Sequence, residues 1–367
     1  MLLTILISIV VFCGVMFLLV HQAKFGKTPK GERLELIKKS LYHDGKKFSN
    51  INHTPELTEG VRYTTIMKEF FFVKNPNVKP KHKLPSKKTN LHQLNITENV
   101  LVWFGHSSYF IQVDGKRILV DPVLSGAASP VRFTTKSFDG SDVYSTDDIP
   151  EIDYLFITHD HWDHLDYDTI MKLKPKIKQI ITSLGVGQHL EHWGFATNRF
   201  IETQWHDETE LEQGFKVITT TARHFSGRGL KRAQALWSSF VFITPTQKIF
   251  IGGDSGYDTH FEAIGNKYGP FDLVILECGQ YNKYWKYIHS MPEETAQIAV
   301  ELKAKKLLPV HWAKFALSMH DWDEPIKRVS IAAAEKNMPL LTPMIGEAVY
   351  WQDHVIKQIA WWENLNS

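Results

Sequence analysis

Nine consecutive residues, THDHWDHLD at positions 158–166, hold three histidines and three aspartates. Neutral imidazole and carboxylate groups are good ligands for a borderline metal such as zinc. In an extended segment His159 and His161 point the same way, because side chains two residues apart share a face. Asp163 and His164 then begin the next turn and can point towards a second position. One ion cannot easily accept all four ligands, so the spacing predicts two metal ions close together.

Two ions need further ligands, and three more polar residues are good candidates. His224 follows the apolar run at 215–222, and His311 ends the run LLPVH. Asp254 lies in GGDSGY, where the flanking glycines let the backbone bend around an ion. Each candidate comes at or just after the end of a predicted strand. Loops at strand ends are where a rigid scaffold presents its reactive residues.

Short apolar runs predict the strands that position these residues. The predicted strands are 99–105, 108–113, 117–122, 152–158, 178–183, 215–222, 237–244, 248–254, 271–277 and 306–311. Asp114-Gly115 joins the second run to the third and is a strong hairpin signal. Helices are predicted at 292–306, which begins with proline and acidic residues, and at 323–337. Hairpins followed by alternating strands and helices indicate sheets whose outer faces are covered by helices.

These motifs closely resemble the metallo-β-lactamase superfamily, whose pattern is His-x-His-x-Asp-His followed by a histidine, an aspartate and a final histidine. The resemblance implies an α/β (α+β) fold, a four-layer αββα sandwich over residues 99–367. It also implies two Zn²⁺ ions per chain, or two ions of another divalent metal, with a bridging hydroxide as nucleophile. The implied ligands are His159, His161 and His224 for the first ion, Asp163, His164 and His311 for the second, and Asp254 for both.

Longer blocks resemble the branch that contains N-acylphosphatidylethanolamine-hydrolysing phospholipase D. They are WFGHSSYFIQVDGKRILVDPVLSGAASP (103–130), HFSGRG (224–229), GGDSGYDTHFEAIGNKYGPFDL (252–273) and the segment from HSMPEE to PVHW (289–312). This resemblance covers most of 99–350. It implies a phosphodiesterase that acts on glycerophospholipids. The chain departs from that branch at 277–281 and at Ala313-Lys314, near the expected pocket, so its substrate can differ.

Three residues are expected to be catalytic: Asp163, Asp254 and His289. The resemblance puts a substrate-contacting histidine at His289, where it would donate to a phosphoryl oxygen or protonate the leaving alcohol. Alternatively, His289 only neighbours a helix N-terminus. The segment YNKYWKYIH (281–289) carries four aromatic residues and two lysines. It suits either a lipid-facing rim or ordinary surface packing.

Two residues outside the ligand set are candidates to hydrogen-bond a ligand. Asp121, at the end of RILVD, can orient a ligand imidazole, or it can cap a turn. His106, in WFGHSS, is either such a partner or a buried histidine. Four histidines lack strand-end placement and are expected at the surface: His189, His192, His206 and His260. The two cysteines, Cys13 and Cys278, are expected to be inert apolar residues.

Residues 1–20 contain no charged side chain and are long enough to cross a bilayer. A cleaved signal peptide is the alternative, but no basic region precedes the run and no small-x-small cleavage site follows it. The next 28 residues carry eight basic side chains, which tend to stay cytoplasmic. The sequence therefore predicts an uncleaved single-pass anchor in the cell membrane, with the catalytic domain in the cytoplasm.

Residues 21–98 form a basic connector, which ends in VKNPNVKPKHKLPSKKTN (73–90). Its proline and lysine content favours an irregular or surface-hugging arm over helices and strands. The arm is either a solvated linker or a cationic surface that lies on anionic lipid headgroups.

The formal net charge of +2 gives no reason to expect nucleic-acid binding. The expected partners are a phospholipid substrate and the membrane, and the sequence leaves the oligomeric state open, a homodimer included. A metal-dependent lactonase, or another phosphoester hydrolase acting on a soluble sugar phosphate, is the alternative enzyme. A metal-stabilised membrane protein that binds a ligand without turnover is the alternative of another class. The apolar N-terminal segment favours a lipid substrate, and the complete ligand set favours catalysis.

Overall fold

The computed structural model describes residues 1–73, 75–229, 231–353, 359–363 and 365. Within them the α-helices are α1 (Leu2–Val20), α2 (Gly31–Lys39), α3 (Tyr63–Phe72), α4 (Tyr167–Leu173), α5 (Gly187–His192), α6 (His260–Tyr268), α7 (Pro292–Glu301) and α8 (Glu324–Glu335). The strands are β1 (Val100–Trp103), β2 (Tyr109–Val113), β3 (Lys116–Val120), β4 (Ile152–Ile157), β5 (Ile177–Ser183), β6 (Phe200–Thr203), β7 (Glu208–Glu212), β8 (Phe215–Thr220), β9 (Ser239–Ile243), β10 (Lys248–Ile251), β11 (Leu273–Glu277), β12 (Leu307–Val310) and β13 (Ala348–Val349).

The strands form two mixed sheets, in the orders β13-β1-β2-β3-β4-β5-β6 and β12-β11-β10-β9-β8-β7. The first sheet is antiparallel as far as β3 and parallel from β3 to β6. In the second sheet β10, β11 and β12 run parallel. Val113 pairs with Lys116 across Asp114 and Gly115, both of which have positive φ angles. The predicted hairpin is therefore confirmed.

Both faces of the first sheet are buried, and alternate residues of β1 show what covers each face. Leu101 and Trp103 belong to a core that also contains residues of the second sheet, such as Phe240. Val100 and Val102 belong to a separate core with residues of α4 and α5. Residues of α6, α7 and α8 pack with the second sheet. The predicted αββα sandwich is confirmed.

Several elements were not predicted from the sequence. Strand β7 has the sequence ETELE and lies at the edge of its sheet, where its alternate residues are exposed. Its charged residues fit an edge strand, but they hide the apolar pattern on which the prediction depended. Strand β6 and helices α4, α5 and α6 were missed as well.

Residues 21–98 were predicted to form an irregular or surface-hugging arm. They are not irregular throughout, because α2 and α3 are helices, but the arm does lie against the sandwich. The arm also contacts the sandwich at several points. Arg33 lies 2.6 Å from Glu202, and the indole of Trp193 donates to the carbonyl oxygen of Ala23 over 2.8 Å. These contacts lie far apart in sequence, which explains why local composition did not reveal them.

Helix α1 carries exposed apolar side chains along most of its length. Among the residues that the structure describes, one helical segment is long and apolar enough to cross a membrane, Leu3–Val20 within α1. The same properties suit either a membrane anchor or a signal sequence.

Candidate metal centre

The ends of four strands meet at one edge of the sandwich and bring seven predicted ligands together. The histidine-rich loop, residues 158–166, follows β4, and His224, Asp254 and His311 follow β8, β10 and β12. After His161 the loop turns, since the backbone amide of Leu165 donates to the carbonyl oxygen of His161 over 2.9 Å. This turn directs the second part of the loop to a different position from the first part, as the spacing predicted.

Three histidines form one cluster, which we call the three-histidine half. Nε2 of His159 lies 2.9 Å from Nδ1 of His161. The same Nδ1 lies 3.2 Å from Nε2 of His224. The three donor atoms therefore converge on one position, although the residues come from both sheets.

Asp163, His164 and His311 form a second cluster, which we call the aspartate half. Oδ2 of Asp163 lies 3.5 Å from Nε2 of His164 and 3.3 Å from Nε2 of His311. His164 and His311 are fully or almost fully buried. The second cluster again combines the loop after β4 with the end of β12.

Asp254 lies between the two halves. Its Oδ2 atom is 3.2 Å from Nε2 of His164 and 3.3 Å from Nε2 of His311. The same atom is 3.9 Å from Nε2 of His159 and 3.8 Å from Nε2 of His224. One carboxylate oxygen therefore faces both clusters, which is the placement expected of a bridging ligand.

The donor atoms suit metal binding in two respects, their spacing and the absence of hydrogen-bond partners for two of them. Four ligands around a tetrahedral zinc ion, each about 2.0–2.1 Å from it, would lie about 3.3 Å from one another. Most of the separations above are close to that value. In addition, His164 Nε2 and Asp254 Oδ1 are buried without a hydrogen-bond partner. Buried polar atoms rarely stay unpaired, so these two atoms favour a bound cation.

The protonation preferences of the centre also suit a cation. Burial lowers the pKa of His159 and of His224 well below the ordinary imidazole value, which leaves both rings neutral. Burial opposes ionisation of Asp254, but the nearby His164 imidazolium holds the pKa of that carboxyl well below its usual range. Burial likewise opposes charge on His164, yet Asp254 and Asp163 raise its pKa well above the ordinary value. The three-histidine half thus offers neutral imidazoles. In the aspartate half the carboxylates stay anionic and stabilise positive charge, here a proton on His164.

Asp121 and His106, which are both buried, contact the aspartate half from outside. Oδ2 of Asp121 lies 2.8 Å from Nδ1 of His164, and Oδ1 accepts from the amide of Thr158 over 2.9 Å. Nε2 of His106 lies 2.8 Å from Oδ2 of Asp163. The structure therefore puts both residues beside a candidate ligand, and their roles stay predictions.

His289 reaches the same edge but stands outside both halves. Its imidazole stacks on that of His311, with ring centroids 5.2 Å apart. Its Nδ1 atom lies 2.6 Å from Oε2 of Glu277, the last residue of β11. In the sequence, Glu277 is distinguished only as one of the positions at which the chain departs from the phospholipase branch. Its strand-end position, shared with the predicted ligands, was the signal that could have identified it.

The other departures from that branch have different surroundings. Gln280 borders the cavity described below, and its side-chain oxygen accepts from the amide of Leu317 over 2.8 Å. Lys314 is buried, and its ammonium group donates to the carbonyl oxygen of Val123 over 3.0 Å. Gln280 therefore lies where it can affect substrate choice, whereas Lys314 supports the interior.

One of the four histidines expected at the surface is buried. His189 lies 3.1 Å from Oδ2 of Asp160, and its Nδ1 accepts from the backbone amide of Lys27 over 3.1 Å. It is buried because it joins the histidine-rich loop to the arm. His260 is partly buried, and burial lowers its pKa to about 4, whereas His192 and His206 are exposed as predicted.

A cavity of about 310 Å³ opens onto the centre. Its polar floor consists of His161, Asp163, His224, Asp254, His289 and His311. Its walls combine apolar residues with a smaller polar group. The apolar residues are Leu57, Ile66, Phe225, Trp285, Ile288 and Leu317, and the polar ones are Glu56, Tyr63, Arg232 and Gln280. Two of the apolar residues, Leu57 and Ile66, belong to the arm. The cavity thus presents candidate ligands on one side and apolar surface on the other.

Comparison with known proteins decides the family. The family model of the beta-lactamase superfamily domain matches residues 116–312. The chain belongs to the β-lactamase superfamily. An uncharacterised protein of Mycobacterium tuberculosis is 35% identical over 275 residues, which are 74% of each chain.

Two further proteins extend the comparison. The N-acyl-phosphatidylethanolamine-hydrolyzing phospholipase D 1 of Caenorhabditis elegans is 29% identical over 233 residues, which are 60% of this chain and 65% of that protein. The structure of Igni18, a metallo hydrolase of Ignicoccus hospitalis, covers 69% of this chain and 98% of its own, with a TM-score of 0.53 and 19% identity. The last likeness shows the fold. The sequence likeness to the phospholipase confirms the resemblance inferred from the motifs, and with the family match it makes this β-lactamase superfamily protein a metal-dependent hydrolase.

Proposed function

We propose that this hydrolase is a membrane-anchored phosphodiesterase that uses two divalent metal ions, most naturally zinc, to cleave glycerophospholipids. The reaction is of the phospholipase D type, with N-acylphosphatidylethanolamine-like lipids as substrates. Water adds to phosphorus while the bond between phosphorus and the headgroup oxygen breaks. The products are phosphatidic acid and the free headgroup alcohol.

The observation that carries this proposal is the amphipathic cavity above the metal centre. A phosphodiester could meet the polar floor of candidate ligands, while acyl groups contact the apolar walls formed by residues such as Trp285 and Ile288. Ligand sites commonly combine apolar walls with a few polar groups that fix orientation. A soluble sugar phosphate has no acyl chain to contact the apolar part of the walls, so the cavity favours a lipid.

Paired divalent ions, when bound, acidify water for attack and stabilise the charge that develops on the phosphoryl oxygens. The protein's own residues orient the substrate and move the proton. Nδ1 of His289 faces Glu277, so Nε2 is the ring nitrogen that can meet a substrate in the cavity. From there it can protonate the oxygen of the departing alcohol.

Helix α1 supports the membrane part of the proposal. Its exposed apolar surface would anchor the protein next to its substrate. The eight basic residues that follow favour a cytoplasmic position for residues 21–367. A reporter enzyme fused to the C-terminus tests this orientation. Activity of the reporter on the cytoplasmic side is expected, and protease digestion of the hydrolase from outside intact cells would contradict it.

The activity is tested with the purified full-length protein and a panel of phospholipid vesicles. N-acylphosphatidylethanolamine should be hydrolysed to phosphatidic acid, the activity should disappear with a chelator, and it should return with Zn²⁺. A sugar-phosphate lactone serves as the competing substrate. Metal-dependent lactone hydrolysis without phospholipid hydrolysis would contradict the proposal, and so would binding of lipid without any turnover.

A further inference from the structure

Glu277 is a buried carboxylate directly beside the metal centre, with 3% of its surface exposed. A buried carboxylate is costly unless hydrogen-bond donors surround it. Three donors from separate segments converge on this one. Oε1 accepts from the backbone amide of Ser255 over 2.6 Å. Oε2 lies 2.6 Å from Nδ1 of His289 and 3.1 Å from Nδ1 of His311.

These contacts connect three candidate functional residues that come from different parts of the chain. Ser255 directly follows Asp254, the candidate bridging ligand. His311 follows β12, and His289 lies in the segment before α7. One side chain at the end of β11 therefore contacts the neighbour of a candidate bridging ligand, a candidate ligand of the aspartate half and a histidine that borders the cavity.

The contacts also show which nitrogen of each ring faces Glu277. An ionised carboxylate can only accept hydrogen bonds, so both imidazoles present Nδ1–H to Glu277. Nε2 of His311 is then the nitrogen left to bind a metal ion, and it lies 3.3 Å from Oδ2 of Asp163 and from Oδ2 of Asp254. A carboxylate behind a ligating histidine fixes its tautomer and orientation in this way.

We infer that Glu277 is a positioning residue that couples metal binding at His311 to the placement of His289. The inference rests on the proposed two-metal function and extends it to a residue outside the ligand set. The alternative is that Glu277 itself ligates a metal. In that case Glu277 would share an ion with Asp254, His289 and His311, whose donor atoms and its own lie within 4.8 Å of one another, and zinc would be bound through the Nδ1 atoms that now face Glu277.

The first test is the isosteric variant Glu277→Gln. An amide has one oxygen and one NH₂ group, so it cannot accept from the Ser255 amide and from both imidazoles at once. We expect the affinity for one of the two Zn²⁺ ions to fall about 10–100-fold, measured by competition with a chromophoric chelator. Affinity for the other ion should stay near the wild-type value. Unchanged affinity for both ions would overturn the inference, and loss of both ions would favour direct ligation.

Glu301→Gln is the matched control. Glu301 lies on α7, is partly buried, and accepts from the hydroxyl of Tyr257 over 2.6 Å and from Gln297 over 3.1 Å. It has no contact with the centre, so the same chemical change should leave both metal affinities unchanged. An equal loss of metal in both variants would show a general effect on folding, and it would overturn the inference.

A double-variant cycle separates positioning from simple stabilisation. At saturating Zn²⁺, Glu277→Gln should slow turnover when His289 is present. The same substitution should have little further effect on turnover in a His289→Asn background, because its effect passes through His289. Its effect on metal affinity should persist in that background. Equal slowing in both backgrounds would show that Glu277 does not act through His289.

Nitrogen NMR of histidine-labelled wild-type protein needs neither a variant nor a lipid substrate. In the Zn²⁺-loaded protein, His289 and His311 should both carry protons on Nδ1. A proton on Nε2 of either residue, or ligation of zinc through Nδ1, would overturn the inference. Because this measurement uses no lipid, it stays informative if the protein hydrolyses a different substrate.

Discussion

The two halves of the metal centre have similar donor atoms, but they are held in different ways. In the three-histidine half, Nδ1 of His159 lies 3.0 Å from the hydroxyl oxygen of Thr158. Nδ1 of His224 donates to the carbonyl oxygen of Ile288 over 2.8 Å. Both of these partners are neutral. In the aspartate half, carboxylates lie behind the rings, with Asp121 at His164 and Glu277 at His311.

This difference has consequences for metal binding. A carboxylate partner increases the basicity of a histidine ligand, and its removal typically costs 10–100-fold in metal affinity or activity. A backbone carbonyl cannot be removed by substitution and fixes its ring whatever the side chain. The aspartate half should therefore be the more sensitive of the two to substitutions outside the ligand set.

The largest effect is expected from Asp254→Ala, which removes the oxygen that faces both halves. Metal stabilisation of a transition state is worth several kcal/mol, so turnover should fall by about 10³–10⁴-fold. Elemental analysis should show that the variant loses metal from both halves. Unchanged metal content would contradict the placement of Asp254 between them.

Replacing one histidine from each half compares the two directly. His224→Ala and His311→Ala should each lose about one ion per chain and slow turnover by about 10²–10³-fold. Binding titrations should find that the ion retained by His311→Ala still occupies a site made of three histidines. If either variant keeps two ions, its histidine is not a ligand.

His289→Asn should leave both halves intact, because the seven candidate ligands are other residues. Turnover should still fall by about 10²-fold, at the lower end of what a positioned acid–base group contributes. Full metal content together with slow phosphodiester hydrolysis is the expected result. Near-wild-type turnover would show that His289 has no part in the mechanism. Loss of metal would show that it is a ligand.

The smallest effect is expected from Asp121→Asn, which alters a contact outside the ligand set. Affinity for the ion of the aspartate half should fall about 10-fold or somewhat more. The three-histidine half should be affected less, because Asp121 reaches His159 only through the hydroxyl of Thr158. Metal competition assays with the wild type and the variant will measure this. Equal weakening of both halves would contradict the distinction drawn here.

The four-layer sandwich and the assignment of ligands to two ions came from the family resemblance, whereas the position of the centre followed from a physical reason. Residues such as His159 and His311 stand at the ends of apolar strands, and parallel strand ends meet at one edge. The hairpin at Asp114-Gly115 was also predictable, because its signal lies in two adjacent residues. Features that depend on contacts between distant segments were missed.

His189 and Glu277 illustrate this limit. His189 was expected at the surface because nothing near it in sequence indicates burial, whereas its contacts are Asp160 and Lys27. Glu277 stands at a strand end like the candidate ligands. Its positioning role depends on its hydrogen bond with Ser255, which follows a neighbouring strand. Likewise, α2 and α3 dock through contacts with distant residues, Arg33 with Glu202 and Glu69 with the hydroxyl of Tyr284.

The most direct test of the account is the metal content of the purified wild-type protein after saturation with Zn²⁺ and removal of excess metal. Elemental analysis should find about two zinc ions per chain, and chelator-dependent hydrolysis of phospholipid vesicles should rise with occupancy of the second ion. No more than one ion per chain, or full hydrolysis with one ion bound, would contradict a centre built from two halves around Asp254.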